Sequence, residues 1–461
     1  MAVVSVVKLS ELRETKRIDA DRYHLGFLEL EENLRKISII EELRSVIVEP
    51  VRTGRTPRDR EMYEEDEKIC FVKTDTLREG LIDFENSDFL PARSLSRRDY
   101  LRPNDVIVTI IGAHFDIIGR AAIYLPHYPP AVVNQNIAVI KSDENKLNPF
   151  FLMVFLNSKY GREQLWMLSR QTEQVNLNCR EVEKLLVPIF DINFQQDIES
   201  LAKESSKLIE KSKSLYTQAE NILLEELGLK DSKPNYELSY TANLSQAFGV
   251  HRVDAEYFQP AYEEVIEKIK GYSNRYAHLL DYVENIKPNF NPTKYPDKYF
   301  SYIELADIDT SIGIIHSVSK VKGEEAPSRA RRILSQNDVI VSSVEGSLEK
   351  VALVDEEHEG SLASTGFFQF RTTEILPQVL LVLSKSIVLQ AQLKKECAGT
   401  ILTAVPNDSL KRILIPILSL ETQQKIAELV RQSHKARREA KELLEEAKRK
   451  VEEAIENEIN K

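Results

Sequence analysis

Apolar positions along two stretches of the chain recur at alternating spacings of three and four, the signature of a helix that packs along a seam. In the last segment, Glu421 to Lys461, the seam reads Ile426, Leu429, Ser433, Ala436, Ala440, Leu443, Ala447 and Ala454. In the middle, from Phe194 to Lys230, it reads Ile198, Leu201, Ser205, Leu208, Ser212, Leu215, Ala219 and Ile222. Many of these residues are Ser or Ala, which let two backbones approach closely. The two segments are therefore expected to form one antiparallel pair, each helix running roughly 50–60 Å at 1.5 Å per residue, and to act as a spacer.

Elsewhere the apolar runs are short, rich in β-branched residues, and bounded by Gly, Pro and Asn, which predicts strands. In the first half these are Ile69–Val72, Val106–Ile111, Ala121–Leu125 and Asn136–Ile140. In the second half they are Tyr299–Ile303, Asp338–Ser342, Val351–Val354 and Gly366–Phe370. One helix is expected after each set, from Pro149 to about Ser169 and from Pro377 to about Glu396, each started by a proline as first helical turns tolerate. The halves also match residue by residue. Arg17-Ile-Asp-Ala-Asp pairs with Arg252-Val-Asp-Ala-Glu, and Asn104-Asp-Val-Ile-Val with Asn337-Asp-Val-Ile-Val. Leu186-Val-Pro-Ile pairs with Leu414-Ile-Pro-Ile, and Gln195-Gln-Asp-Ile with Gln423-Gln-Lys-Ile. The offset drifts slowly one way, as small insertions between two copies of one unit would produce. The expected fold is α+β: two related domains, residues 1–193 and 233–418, separated by a pair of long antiparallel coiled-coil helices, 194–232 and 419–461, as a pseudo-twofold internal repeat.

A chain of 461 residues with 42% hydrophobic and 29% charged residues has enough apolar surface for two or three cores. Its longest apolar runs, Phe150–Leu156 and Val379–Leu383, are far short of the ~20 residues that cross a bilayer. No membrane role is expected, and the start MAVVSVVKL lacks a secretory pattern, which points to the cytoplasm. Cys70, Cys179 and Cys397 are widely separated, which fits a reducing compartment and excludes a CxxC knuckle.

The net charge of −11 argues at first against a nucleic-acid partner. The deficit is spread evenly, however, with 27 basic against 31 acidic residues in 1–193 and 20 against 24 in 233–418. Local clusters matter more for binding DNA than the overall sign. Arg52, Arg55, Arg58 and Arg60 form one cluster, Arg93, Arg97, Arg98 and Arg102 a second, and Lys320, Lys322, Arg329, Arg331 and Arg332 a third. Each can also be read as an ordinary solvated loop face.

Catalytic constellations are missing from the pattern. Neither GxxxxGK[ST] nor GxGxxG after a strand is present, and the eight histidines show no HExxH spacing. Asn148-Pro-Phe-Phe resembles the Asn-Pro-Pro-Tyr/Phe loop of adenine methyltransferases but lacks the second proline, so it is read as a helix start. The acids Glu64, Glu65, Asp66 and Glu67 lie in a charge run with no apolar enclosure to perturb a pKa. No enzymatic activity, cofactor or metal is expected within the chain.

The duplicated layout resembles the DNA specificity subunit of type I restriction-modification systems over essentially the whole chain. Thr53-Gly-Arg-Thr-Pro-Arg is similar to that family's Gly-x-Thr-Pro turn, and Val133-Asn-Gln-Asn-Ile-Ala-Val-Ile to its Asn-Gln-Asn strand. Val187-Pro-Ile before Gln195-Gln, and Ile415-Pro-Ile before Gln423-Gln, resemble its entries into the conserved helices. The second domain departs from the pattern: Lys287-Pro-Asn-Phe-Asn-Pro-Thr-Lys stands in place of Gly-x-Thr-Pro, and Ser364-Thr-Gly in place of Asn-Gln-Asn.

The resemblance implies a non-catalytic subunit that recognises a bipartite, asymmetric double-stranded DNA target, one half-site per domain. Its implied partners are two modification subunits, which methylate adenine with S-adenosylmethionine, and ATP-using restriction subunits. The helices and adjoining domain faces would dock the modification subunits, and neither cofactor would bind this chain. Candidate DNA contacts in the first domain are Arg52, Arg55, Thr56 and Arg58 in the Gly-Pro turn, Arg97 and Arg98 before a strand, and Asn134, Gln135 and Asn136. These amides either read adenine or hold a loop. In the second domain the candidates are Lys287, Asn289 and Asn291, with Lys320, Lys322, Arg329, Arg331 and Arg332. Tyr295 and Tyr299 are expected to pack in the core or a loop. The alternative to DNA readout is a coiled-coil scaffold joining two protein-binding domains.

Overall fold

The computed structural model describes Val6 and residues 20–461 apart from 113, 114, 116, 171–174, 231, 233, 273, 274, 373 and 400–402. The first copy of the Arg-Ile-Asp repeat, at Arg17, lies outside the described residues except for its last two positions. Contacts divide the chain into two units, residues 1–209 with 438–461 and residues 210–437.

Period-two alternation builds the first unit in layers. A four-stranded antiparallel sheet is ordered Arg52–Thr53, Ile137–Ile140, Val106–Thr109, Ala121–Ile123. Val106 and Val108 on one face pack with the helices, whereas Ile107 on the other packs toward a second sheet. That sheet sets Ala131–Val133 parallel, and Asp88–Pro91 antiparallel, to the central strand Lys68–Val72. The second unit repeats the plan. Val283–Asn285, Phe367–Thr372, Val339–Ser342 and Val351–Leu353 form its first sheet, with Val339 and Val341 facing helices and Ile340 facing away. Its second sheet is ordered Ser319–Lys322, Tyr299–Ile303, Leu362–Ser364, Ala330–Ile333, again with one parallel pairing, between Tyr299–Ile303 and Leu362–Ser364.

The residues that match between the copies fasten the backbone. Asn104 and Asn337 both adopt positive φ, 69° and 70°, in the turn before the central strand. Asp105 and Asp338, both buried, each accept a hydrogen bond from the backbone N–H three residues earlier, Arg102 at 2.8 Å and Ser335 at 2.9 Å. Gln164 holds both the N–H (2.9 Å) and the carbonyl (3.0 Å) of Leu186, and Gln392 does the same for Leu414 at 2.8 Å each. Each buried amide thus serves as the missing neighbour of a short strand. Without it two backbone groups would be left unpaired, at about 1–3 kcal/mol each. Gln195 accepts from the Asn148 N–H at 2.8 Å and donates to the Phe190 carbonyl at 2.8 Å; Gln423 accepts from Leu376 N–H at 3.2 Å and donates to Leu418 at 3.1 Å. Arg252, from the second copy of the Arg-x-Asp repeat, pairs with Asp254 at 2.8 Å and donates to the Cys397 carbonyl at 2.7 Å, closing the end of the helix Ile387–Glu396.

Two expectations about helices need correction. The stretch from Pro149 is two helices, Pro149–Asn157 and Lys159–Leu168, and its counterpart is Pro377–Lys385 and Ile387–Glu396. The break falls at Ser158 and at Ser386, both extended (ψ 164° and 166°). Their hydroxyls donate back to Phe155 (2.6 Å) and Leu383 (3.0 Å), and also accept from the first turn of the next helix. A serine that offers the backbone a local alternative stops the first helix and caps the second. Asn148 acts as a helix cap, its Oδ1 accepting from the Phe150 N–H at 2.9 Å.

The long helices are Ile192–Glu226 and Leu420–Ile459. In the first unit Ser205 Oγ donates to the Ala440 carbonyl at 2.7 Å. In the second, Ser212 donates to the Ser433 carbonyl at 2.8 Å and Ser433 to that of Ser212 at 2.7 Å. Seven residues forward on one helix match seven back on the other, so the pair is antiparallel. Small residues carry these layers as expected, but the residues between them are offset by one. Ala202, Tyr216 and Leu223 are buried where Leu201, Leu215 and Ile222 were expected, Val430 and Ile455 are buried in place of Leu429 and Ala454, and Val451 adds a further buried position. The contacting stripe therefore follows the 4-3 phase, and Leu201 and Leu429 lie partly buried beside it against the cores of their units.

A tight turn in each unit touches the last helix. Gly80, at φ 68°, lies so close to Leu444 that an added Cβ would stand 3.0 Å from Leu444 Cδ2, and neighbouring Glu79 pairs with Lys448 at 3.0 Å. In the second unit Asp309 pairs with Arg437. Burial pushes the Asp309 carboxyl up, but Arg437 and the Ser311 hydroxyl and N–H outweigh it and bring it from the usual 3.8 down to about 2. A carboxyl whose folded value lies below its unfolded one stabilises fully above pH 4 and loses that contribution as pH falls through 2. The shift corresponds to about 2 kcal/mol. Acid titration of unfolding, followed by tryptophan-independent far-UV circular dichroism, should show that loss between pH 4 and 2, and Asp309→Asn should flatten it.

Candidate nucleic-acid interface

In the first unit three loops meet at the edges of the two sheets. Gly54 follows the edge strand Arg52–Thr53, and a Cβ there would stand 1.8 Å from the Val133 carbonyl oxygen, so only glycine permits the approach. This close crossing sets the Gly-x-Thr-Pro turn against residues 133–136, and Thr56 Oγ1 contacts Gln135 Oε1. Arg55 reaches across to the third loop, donating to the Ser94 carbonyl at 3.0 Å and to Asp99 at 2.8 Å. Burial raises the Asp99 carboxyl, yet Arg55 and the Ser96 N–H and hydroxyl hold it below the usual range. Arg52 donates to the Tyr100 carbonyl at 3.2 Å and lies 3.7 Å from Asp105, whose own carboxyl burial pushes up.

Two kinds of side chain emerge. Arg52, Arg55 and Thr56 fasten the loops to one another. Arg58, Arg97, Arg98 and Gln135 are exposed, and none of the three arginines has an ion-pair partner among the described residues. Asn134 is buried, with its Oδ1 accepting the Asn136 N–H at 3.1 Å and its N–H donating to the Val72 carbonyl at 3.1 Å. Of the two readings open for these amides, Asn134 takes the loop-holding one.

The second unit brings its own three loops to the equivalent edge. Phe290 N–H donates to the Arg331 carbonyl at 3.0 Å, and Thr365 N–H to the Arg329 carbonyl at 2.8 Å. Lys287, Asn289, Lys320 and Arg329 are exposed, and the three cations have no ion-pair partner among the described residues. Asn291 caps a turn, accepting from the Thr293 hydroxyl at 2.9 Å. Lys322 sits between Glu324 and Asp297 (3.3 Å), which raise its ammonium pKa. Arg331 Nε donates to the Ser328 carbonyl at 2.9 Å. Arg332 departs from an exposed cation: it is 4% exposed, donates to the Ile286 carbonyl, and burial alone lowers its guanidinium to about 10. The charge run carried no sign that Arg332 points inward, because a strand turns alternate residues to opposite faces. Tyr295 and Tyr299, expected to be packed, are 51% and 66% exposed.

The chemistry available in either unit is hydrogen bonding and charge. Among the described residues no three His, Cys, Asp or Glu side chains come together as a metal site, and no helix is long and apolar enough to cross a membrane.

This is a duplicated α+β protein with a pair of long antiparallel helices. In sequence the chain is similar to a curated type I restriction enzyme specificity subunit. It is 21% identical over 452 residues to the putative type I restriction enzyme MjaX specificity subunit of Methanocaldococcus jannaschii, an alignment covering 91% of this chain and 95% of the relative. Among solved structures it is similar to the type I restriction-modification S subunit of M. genitalium, at 12% identity, 92% and 96% coverage and a TM-score of 0.40. The HsdS subunit of Thermoanaerobacter tengcongensis matches at 15% identity, 91% and 96% coverage and a TM-score of 0.29. No family profile matches the chain.

Proposed function

We propose that the chain is the DNA-specificity subunit of a type I restriction-modification complex, reading a bipartite, asymmetric target in double-stranded DNA. Residues 1–193 take one half-site and 233–418 the other, while 194–232 and 419–461 set the gap between them. Two modification subunits and the restriction subunits supply methylation and cleavage. The observation that carries this reading is where the two copies agree and where they differ. Asn104/Asn337, Asp105/Asp338, Gln164/Gln392 and Gln195/Gln423 are kept, and all fasten the frame. The loops at the sheet edges differ, with Gly54-Arg-Thr against Lys287-Pro-Asn and Asn134-Gln-Asn against Ser364-Thr-Gly. One frame with two different edges is what an asymmetric target requires. Exposed Arg97, Arg98, Lys287, Lys320 and Arg329 would position phosphates, and amides and hydroxyls such as Gln135 would reach base edges.

The net charge of −11 favours the rival scaffold, in which the same helices join two protein-binding domains. Binding of the complex to duplex DNA across a salt series separates the two. The DNA reading predicts a log–log slope of about −0.9 for each phosphate neutralised, and Lys320→Ala should reduce its magnitude by about 1. A slope near zero leaves only the scaffold.

A further inference from the structure

The edge of the second unit carries aromatic rings that its expected packing role does not use. Residues 287–298 and 319–331 hold seven basic side chains against three acidic ones, in a chain that is otherwise strongly acidic. Tyr295, within the first stretch, and Tyr299, directly after it, are half or more exposed. Tyr295 is not a loose surface ring. Tyr295 lies parallel to Phe290, centroids 5.9 Å apart and planes within 7°, and Phe290 is in turn set edge-on to the buried Phe300 at 5.6 Å. Its N–H donates to the Pro292 carbonyl at 2.9 Å and its carbonyl accepts from Lys298 at 3.1 Å. Gly323 approaches so closely that a Cβ there would be 2.1 Å from the Tyr295 carbonyl oxygen, which clamps the loop from the other side. Tyr299 opens the central strand of the sheet and stands opposite Lys322. One face of the Tyr295 ring is thus pre-set outward at little cost in side-chain entropy, and Tyr299, nearby in sequence, is 66% exposed.

We infer that Tyr295 and Tyr299 are specificity-determining residues of the second half-site, their rings packing on deoxyribose and base edges of duplex DNA while Lys287, Lys320 and Arg329 hold the flanking phosphates. Exposed aromatic rings beside cations that have no ion-pair partner among the described residues are complementary to a duplex, which presents phosphates, apolar deoxyribose and thymine methyl groups at its surface. Among the described residues of the first unit the exposed tyrosine is differently placed. Tyr63 lies under Arg93, 4.9 Å from ring centroid to guanidinium carbon, and its hydroxyl is bonded to Glu61 at 2.9 Å, within a run of acids. The inference rests on the DNA reading above, and Tyr63 supplies its internal control.

The test measures duplex binding by the full chain with its modification subunits, using the motif that methylation mapping assigns to it. Tyr295→Ala and Tyr299→Ala should each weaken binding roughly tenfold without changing the salt slope, because no phosphate contact is lost. Their discrimination against substitutions in the second half-site should fall, and that in the first half-site should stay. Tyr299→Phe should retain most of the affinity, and Tyr63→Ala should bind as the parent does. Circular dichroism melts matching the parent identify folded variants; Tyr299→Ala, whose ring is the more exposed, serves if Tyr295→Ala is unstable. Parental affinity and discrimination in folded tyrosine variants overturn the inference but leave DNA binding intact. An equal loss in Tyr63→Ala overturns it too, and absence of duplex binding by the parent removes the DNA reading itself.

Discussion

Inserting seven residues between Ser205 and Ser212, together with seven between Ser433 and Ala440, should widen the gap in the methylated motif and leave both recognised halves unchanged. These are the facing positions of the seam, where Ser205 bonds to Ala440 and Ser212 to Ser433. A seven-residue insert keeps the 4-3 stripe in phase, so the same faces continue to meet. It adds about 10 Å of rise, which at 3.4 Å per base pair sets an upper limit of roughly three base pairs. The rod turns by only about −20° over a heptad, while DNA turns on with each added pair, so a gap longer by one to three pairs is expected. An insert in one helix alone puts Ser433 out of register with Ser212 and should abolish activity by misfolding the seam. Sequencing of methylated adenines reads the result. An unchanged gap with the double insert would show that spacing is set elsewhere.

Much of the frame could be read in the sequence because its fasteners are polar residues in demanding positions. Asn104 and Asn337 meet a positive-φ requirement that few residues satisfy, and Gln195 and Gln423 each pair two backbone groups at the start of a long helix. Requirements of that kind keep residue type and spacing, so the repeat stands out over long offsets. The short β-branched strands were equally legible. Gln164 and Gln392 make the same double bond to a strand, yet they lie within stretches that read as one amphipathic helix and gave no separate signal. The breaks at Ser158 and Ser386 were hidden for a related reason, since the apolar run continues through both.

The edges were less legible. A run of cations states charge, not partners: Arg55 is tied to Asp99, Lys322 to Asp297, and Arg332 is turned inward, whereas Arg97, Lys287, Lys320 and Arg329 remain outward and unpaired by acids among the described residues. Tyr295 and Tyr299 look like core formers by composition, and only the stacking on Phe290 and the clamp at Gly323 fix the Tyr295 face outward. The seam shows the same limit. Heptad spacing identified Ser205, Ser212, Ser433 and Ala440 correctly, but not that the next layer is Tyr216, which belongs to the second unit's core and lies under Lys385, instead of Leu215.

The second large effect follows from the division of labour between the copies. Exchanging residues 1–193 for the corresponding domain of a relative should alter one half of the recognised motif and nothing else. The graft must keep the packing of Ile198 and Ala202 with Ala447, Val451 and Ile455, which belong to the same core as the domain's helices. A donor that fills this seam with residues of similar volume should cost less than about 1.5 kcal/mol in stability. The loops at the sheet edge, from Gly54 to Arg58, Ser94 to Tyr100 and Asn134 to Asn136, are replaced together, so under the proposed DNA reading the bases of that half-site should change together. Lys287, Lys320, Arg329 and the tyrosines of the other edge are untouched.

Mapping methylated adenines genome-wide in cells that carry the parent chain or this exchange, with the same modification subunits, tests the two-reader claim most directly. The expected outcome is a motif whose one half is new, whose other half is the parent's, and whose gap is the same. A motif that changes in both halves, or in neither, would contradict it.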